Sequence, residues 1–331
     1  MNRGAKSSWY FLSCYFVAAL MDRYNIRQVV PVSSGLDATR GRLPQPVGRR
    51  HGLGITLMVG STLLFTGMNA VAKILGTGYS LFQLIFFRSI FAILPLGLAL
   101  VCRGALTDLK AHRPLGHALR AVCGFASLGG SFYAFPRLPL VTVVAISFAA
   151  PLFVFALSWP MLRERVAPRH VIAVAAGFSG ILMILQPSAN GLDIAVVVTV
   201  FASMFHALVS VLVRYLNRTE APAAIVFYYL VLSMFLSGFA LPFVWVKPDP
   251  RDWLLFVALG LFGGSAQLLM TTAFRHGEAA LIAPFDYATI LWSTVIDWLA
   301  WGDWPGPQLW LGVTLVVGSG IYILRSEKGQ S

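Results

Sequence analysis

Between residues 53 and 324, apolar stretches of about twenty residues follow one another almost without pause, parted by short segments carrying proline, glycine and charge. A helix needs ~20 apolar residues to cross a hydrocarbon layer of ~30 Å, and it satisfies its own backbone hydrogen bonds while doing so. The chain is 57% hydrophobic and only 11% charged, whereas soluble domains carry roughly 25% charged residues. A water-soluble surface cannot be covered with so few charges. The expected fold is therefore an all-α integral membrane protein of ten transmembrane helices. They are predicted at 53–76, 81–102, 116–135, 138–162, 169–186, 194–214, 221–246, 253–274, 279–302 and 308–324.

Charge sets the orientation. The formal charge of +12 is scattered over connectors rather than gathered on one face, which argues against nucleic acid and for sidedness of insertion. With both ends cytoplasmic, and residues 1–50 left aside, the inner segments (Arg120 counted with them) hold twelve Lys and Arg residues. The outer segments hold four: Lys73, Arg137, Lys247 and Arg251. Residues 1–50 contain an apolar run at 9–21, too short for a span; a signal-like segment, an interfacial helix and a disordered extension all fit it. Cys14, Cys102 and Cys123 show no metal-ligand spacing and no disulfide framework.

An internal repeat decides the architecture. Residues 147–168 align without gaps on 286–307, with Ala149/Ala288, Leu152/Leu291, Trp159/Trp298 and Pro168/Pro307 identical at an offset of 139. Thr62, Thr66, Asn69 and Lys73 of the first helix match Thr199, Ser203, His206 and Ser210 of the sixth in spacing. Arg120, Gly124, Ser127 and Ser131 of the third helix match Gly260, Gly264, Gln267 and Thr271 of the eighth. Two five-helix units follow, at 51–190 and 191–325, with a cytoplasmic tail at 326–331. Five is odd, so the second unit would enter the membrane from the opposite face, an inverted repeat of the kind secondary transporters use.

The fourth-helix segment PLFVFALSWPMLRER, the glycine-bearing GFSGILMIL after it, the second copy WSTVIDWLAWGDWPGPQLWLGVTLVVGSGIYIL, and FFRSIFAIL around Arg88 carry a family resemblance. Over residues 53–325 the chain resembles the drug/metabolite transporter superfamily, EamA-domain branch, and within it the S-adenosylmethionine and riboflavin transporters. It departs at Ile290, where the family often has proline, and at Asp303, where it often has glutamate. The resemblance implies a multi-pass transporter of the bacterial cytoplasmic (inner) membrane.

Ionisable groups at membrane depth are costly and usually face a partner or a cavity. Asp286 and Asp297 fall on one face of the ninth helix with Thr289 and Ser293, whereas the equivalent residues Ser147 and Ser158 are uncharged. One reading has the carboxylates facing a central cavity, attracting a cationic or zwitterionic solute or carrying a coupling proton. The other has buried salt bridges to Arg88 or Arg275. His206, opposite Asn69 by the repeat, either binds the solute or titrates near neutrality, or is a hydrogen-bonded packing residue. Lys73 either closes the polar stripe or snorkels to the outer interface. Asn69, Ser127, Ser203 and Gln267 either line the cavity or let helices pack closely. Tyr133, Tyr287 and Trp292 either stack on a planar solute or pack.

The function expected is secondary transport of a small amino-acid-like, nucleoside-like or cationic/aromatic metabolite by alternating access, with proton or counter-solute coupling and no cofactor. A passive channel and an intramembrane enzyme are the alternatives. The sequence offers the channel no filter and the enzyme neither a metal-spaced cluster nor a phosphate loop.

Overall fold

The computed structural model describes residues 51–102, 109–150, 152–153, 168–185, 193–216, 219–276 and 283–328. The N-terminal extension and the second half of the predicted fourth helix, with Ser158, Trp159 and Glu164, lie outside them. The described elements are all helical: α1 (His51–Leu75), α2 (Leu81–Cys102), α3 (Pro114–Ala134), α4 (Leu140–Ser147), α5 (Pro168–Leu185), α6 (Ile194–Leu216), α7 (Pro222–Val244), α8 (Asp252–His276), a 3-10 turn (Ala283–Tyr287), α9 (Ala288–Trp301) and α10 (Pro307–Lys328).

Proline explains several starts. Pro114, Pro168, Pro222 and Pro307 open α3, α5, α7 and α10, where the missing N–H costs no intrahelical bond. Gly302, at φ 72°, closes α9 in the left-handed conformation, with its N–H on Trp298 O (3.1 Å) and the Asp303 N–H on Asp297 O (3.2 Å).

Two predicted helices are interrupted. The segment 138–162 forms α4 only to Ser147, after which the Ala149 N–H reaches back three residues to Ile146 O. The break is confined to Phe148 and Ala149, since Ala150 and residues 152–153 are helical again. The segment 279–302 is likewise not one helix, because Ala283–Tyr287 winds as 3-10 before α9 begins.

Packing follows the repeat. The contacting pairs α1–α8 and α3–α6 exchange when α1 to α5 are renamed α6 to α10. So do α1–α9 with α4–α6, and α2–α8 with α3–α7, while α2–α7, α4–α9 and α5–α10 map onto themselves. A side chain at Gly264 of α8 would fall 2.7 Å from the Pro95 ring and 2.8 Å from Ala92 O of α2. The α8 glycines therefore serve close helix contact.

The connectors pair too. At the start of α2, Gln83 donates to Val246 O (2.8 Å) and accepts from the Val246 N–H (3.1 Å), while the Tyr79 hydroxyl donates to Asp252 Oδ2 (2.6 Å) and accepts from the Asp249 N–H (3.0 Å). Beyond the end of α2, the His112 N–H donates to Glu220 Oε1 (2.9 Å), and Tyr228 donates to Leu109 O (3.1 Å). The α1–α2 connector thus meets the α7–α8 connector at one end of α2, and the α6–α7 connector meets the α2–α3 connector at the other.

Large apolar side chains point outward, including Phe239 (81% exposed), Phe243 (88%) and Leu254 (78%). Hydrocarbon suits such a surface and water does not. Five helical segments, Gly52–Leu75, Leu81–Val101, Ile194–Val213, Ala223–Val244 and Asp252–Met270, are long and apolar enough to cross a membrane, and Ala175–Ile184 and Pro307–Ser319 are shorter apolar stretches. The chain is a multi-pass membrane protein.

Candidate functional site

Asp297 is wholly buried near the end of α9. Lys73 Nζ of α1 lies 3.1 Å from its Oδ1, and the Val141 N–H at the start of α4 donates to its Oδ2 at 2.8 Å. That N–H is one of the four a helix leaves unpaired at its N-terminus, so one carboxylate answers both a cation and a helix start. Lys73 Nζ also sits 4.1 Å above the centroid of the Trp301 ring and 3.8 Å from Asp303. The ion-pair partner of Asp297 is therefore Lys73, where the sequence suggested Arg88 or Arg275, and the Arg275 side chain lies outside the described residues. Lys73 does not snorkel: it is 8% exposed, because the carboxylate it reaches lies inward.

A second cationic centre has no such partner. Arg88 (3% exposed) and Arg120 (4%) share one aromatic ring, with Cζ 5.8 Å and 3.8 Å from the Tyr229 centroid respectively. Arg88 Nε contacts Met68 Sδ at 3.3 Å. Arg88 Nη1 and Arg120 Nε and Nη1 are buried with no hydrogen-bond partner, and neither side chain meets a carboxylate among the described residues. Gly124 makes room for the ring: a Cβ there would lie 2.8 Å from Tyr229 Cε2. Arg120, placed by the sequence on the third helix though counted with the inner cations, lies on the face of α3 that turns into the bundle.

The other candidates divide. Thr62 is buried and accepts from the Trp292 indole N–H at 3.2 Å, so Trp292 is tied to α1. Tyr287 meets Phe148, with ring centroids 4.7 Å apart. Asn69, Gln267 and Asp286 are half-buried. Asp286 stands in the 3-10 turn, where its backbone carbonyl accepts from the Thr289 hydroxyl, and its carboxylate meets no cation among the described residues. His206 is exposed on α6. Ser127 and Ser203 are buried, Ser203 donating to Val200 O of its own helix. Tyr133 lies under the exposed Arg137 guanidinium, 3.8 Å from ring centroid to Cζ.

Outside the spans, the Glu220 side chain is fully buried. His117 Nε2 stands 3.5 Å and His112 Nδ1 3.6 Å from its Oε2. Burial pushes its carboxyl up, but the His112 N–H, His117 and the Arg113 N–H together hold it below the usual value. The Tyr79 hydroxyl is pushed up, first by its hydrogen bond to Asp252.

The sequence profile of the EamA-like transporter family matches twice, over residues 52–186 and 193–325. The chain belongs to the EamA-like transporter family. As in the sequence resemblance, this places it in the drug/metabolite transporter superfamily. A riboflavin transporter of Brucella anthropi is 27% identical over 83% of this chain and 99% of its own length. A pseudopaline exporter, CntI, of Pseudomonas aeruginosa is 30% identical over 83% of this chain and 97% of its own. An S-adenosylmethionine uptake transporter of Rickettsia bellii is 25% identical over 85% and 96%. All three are named for transport of small metabolites rather than for catalysis.

Within this EamA-family chain, Arg120 entered the sequence reading only as part of the repeat and the charge count, and Tyr229, Glu220 and Tyr79 escaped it. A period-4 row on α7, Tyr229–Ser233–Ser237, all buried, carried a signal for Tyr229. Nothing local marked Glu220 or Tyr79, whose partners lie more than a hundred residues away.

Proposed function

We propose that this chain is a secondary carrier that moves a small organic metabolite across the cytoplasmic membrane by alternating access. Its ten spans form two inverted halves, at 51–190 and 191–325, with both termini inside. The observation that carries the reading is the exchange of connectors. Corresponding connectors of the two repeats lie at opposite ends of α2, as expected when one half is upside down relative to the other. Interruptions after Ser147 and before Ala288, at equivalent points of the fourth and ninth helices, fit the broken helices that carriers place around a midplane site.

In this reading the solute meets Asp286, Asn69, Gln267 and His206 between the halves, with Trp292 and Tyr287 at its edge. The Tyr79/Gln83 and Glu220/His112 clusters close the outer and inner ends in turn. An amino-acid-like, nucleoside-like or cationic/aromatic solute suits these side chains, and Asp286 is the candidate for a coupling proton.

Thr77 and Thr219, exposed on corresponding connectors, test the topology. With the native cysteines replaced, a membrane-impermeant maleimide should label Thr77→Cys from outside and Thr219→Cys only after permeabilisation. Labelling from the same side would sink the inverted arrangement. Solute flux into proteoliposomes should saturate; a rate rising linearly with concentration would instead make the protein a channel.

A further inference from the structure

We infer that Arg88, Arg120 and Tyr229 form a binding site for the anionic group, a carboxylate or a phosphate, of the solute this protein carries. The inference rests on the carrier reading and narrows it. Two guanidinium groups, each more than nine-tenths buried, share one aromatic ring and leave three N–H-bearing nitrogens without partners among the described residues. A buried cation without a counter-charge is strongly unfavourable, and two about one ring also repel each other. A protein that keeps such a pair gains from it only when an anion arrives.

The chemistry of the pair is specific. A guanidinium presents a planar fork that bonds carboxylate or phosphate oxygens two at a time. The three N–H-bearing nitrogens come from two helices, α2 and α3, which both converge on Tyr229. Tyr229 of α7 holds the Arg120 fork by cation–π contact, and the bare Cα of Gly124 lets that ring approach. Gly263 of α8 does the same for Arg88, since a Cβ there would lie 3.1 Å from Arg88 Nε. The site thus joins both repeats, and an anion bound there is felt by α2, α3, α7 and α8 together.

The test uses the purified full chain in phosphatidylcholine nanodiscs, titrated with inorganic phosphate and with succinate against chloride at matched ionic strength. The thermal midpoint should rise saturably with one or both anions. Arg88→Gln and Arg120→Gln should each weaken the apparent affinity at least about tenfold, while Lys247→Gln, on an exposed connector, should leave it unchanged. Without ligand the Arg120→Gln midpoint should hold or rise, because an unpaired buried charge has gone; a lowered midpoint would mark a structural arginine and overturn the assignment. Arg120→Lys, which keeps the charge but not the fork, should fold and still bind more weakly. The inference is overturned by a wild type indifferent to both anions, by equal responses in wild type and the arginine variants, or by a response only to phosphatidylglycerol in the nanodisc. Saturable anion binding without solute flux in proteoliposomes would keep this site and sink the carrier reading. Flux with anion-indifferent binding would do the reverse.

Discussion

Phe148 and Tyr287 hold the same position in the two repeats, 139 residues apart, and their rings meet with centroids 4.7 Å apart, inclined at 44°. Each stands where its own helix is interrupted: Phe148 caps the end of α4, and Tyr287 precedes α9. The contact between the halves thus falls where neither helix is continuous.

A double-mutant cycle on this pair, Phe148→Ala and Tyr287→Ala, should show a coupling of about 0.5–1.5 kcal/mol in thermal or denaturant unfolding. Tyr287→Phe keeps the ring and should stay near wild type. Additive losses would show that the contact carries no energy of its own.

Lys73 and Asp297 should behave as a structural knot. Lys73→Met leaves the buried Asp297 without a cation and should cost about 3–5 kcal/mol, Asp297→Asn leaves Lys73 only the exposed Asp303 and should cost less, and the Lys73→Met/Asp297→Leu double variant should recover much of the larger loss. The Val141 N–H loses its acceptor in that double variant, so recovery should stop short of wild type. Unfolding midpoints read this directly; a stable Asp297→Asn protein that fails only in uptake would move Asp297 from structure to transport.

Asp286→Asn should lower solute uptake and flatten its pH dependence while leaving the midpoint close to wild type, because its carboxylate meets no cation among the described residues. Normal uptake with an unchanged pH profile would remove Asp286 from the site.

The two connector clusters should fail at opposite ends of the pH scale. Glu220 is held below its ordinary value of ~4.3, so its contribution is complete above that value and disappears as pH falls through the lowered one. Tyr79 is held above its ordinary value of 10.0, so its contribution is present below that and disappears as pH rises through the raised one. Limited proteolysis should therefore open the 109–113/219–221 end in acid and the 76–80/246–252 end in alkali. Glu220→Gln should abolish the acid effect alone, and Tyr79→Phe the alkaline effect alone; either variant removing both would disprove two separate clusters.

Much of the fold was legible because lipid imposes a local rule. A spanning helix must be apolar along its own length, so α1, α2, α6, α7 and α8 start and stop within about two residues of the predicted spans. The interruptions in the fourth and ninth segments were not legible from apolarity, because a 3-10 turn or a broken turn is as apolar as a helix. At the candidate site, Asp297 and Lys73 each stood out as charges in apolar sequence, but their pairing across 224 residues could not be read from either helix alone.

What the sequence determined by itself is the number and order of apolar segments and their repetition at offsets of 137 to 140, since both can be read along the chain without knowing how its helices pack. Only the tertiary structure decided which charges meet: Asp297 with Lys73 and the Val141 N–H, Glu220 with His112, and Arg88 with Arg120 around Tyr229. Those pairings depend on the rotation and depth at which one helix packs on another. The packing of every other helix sets that geometry at once, and a single segment carries no trace of it.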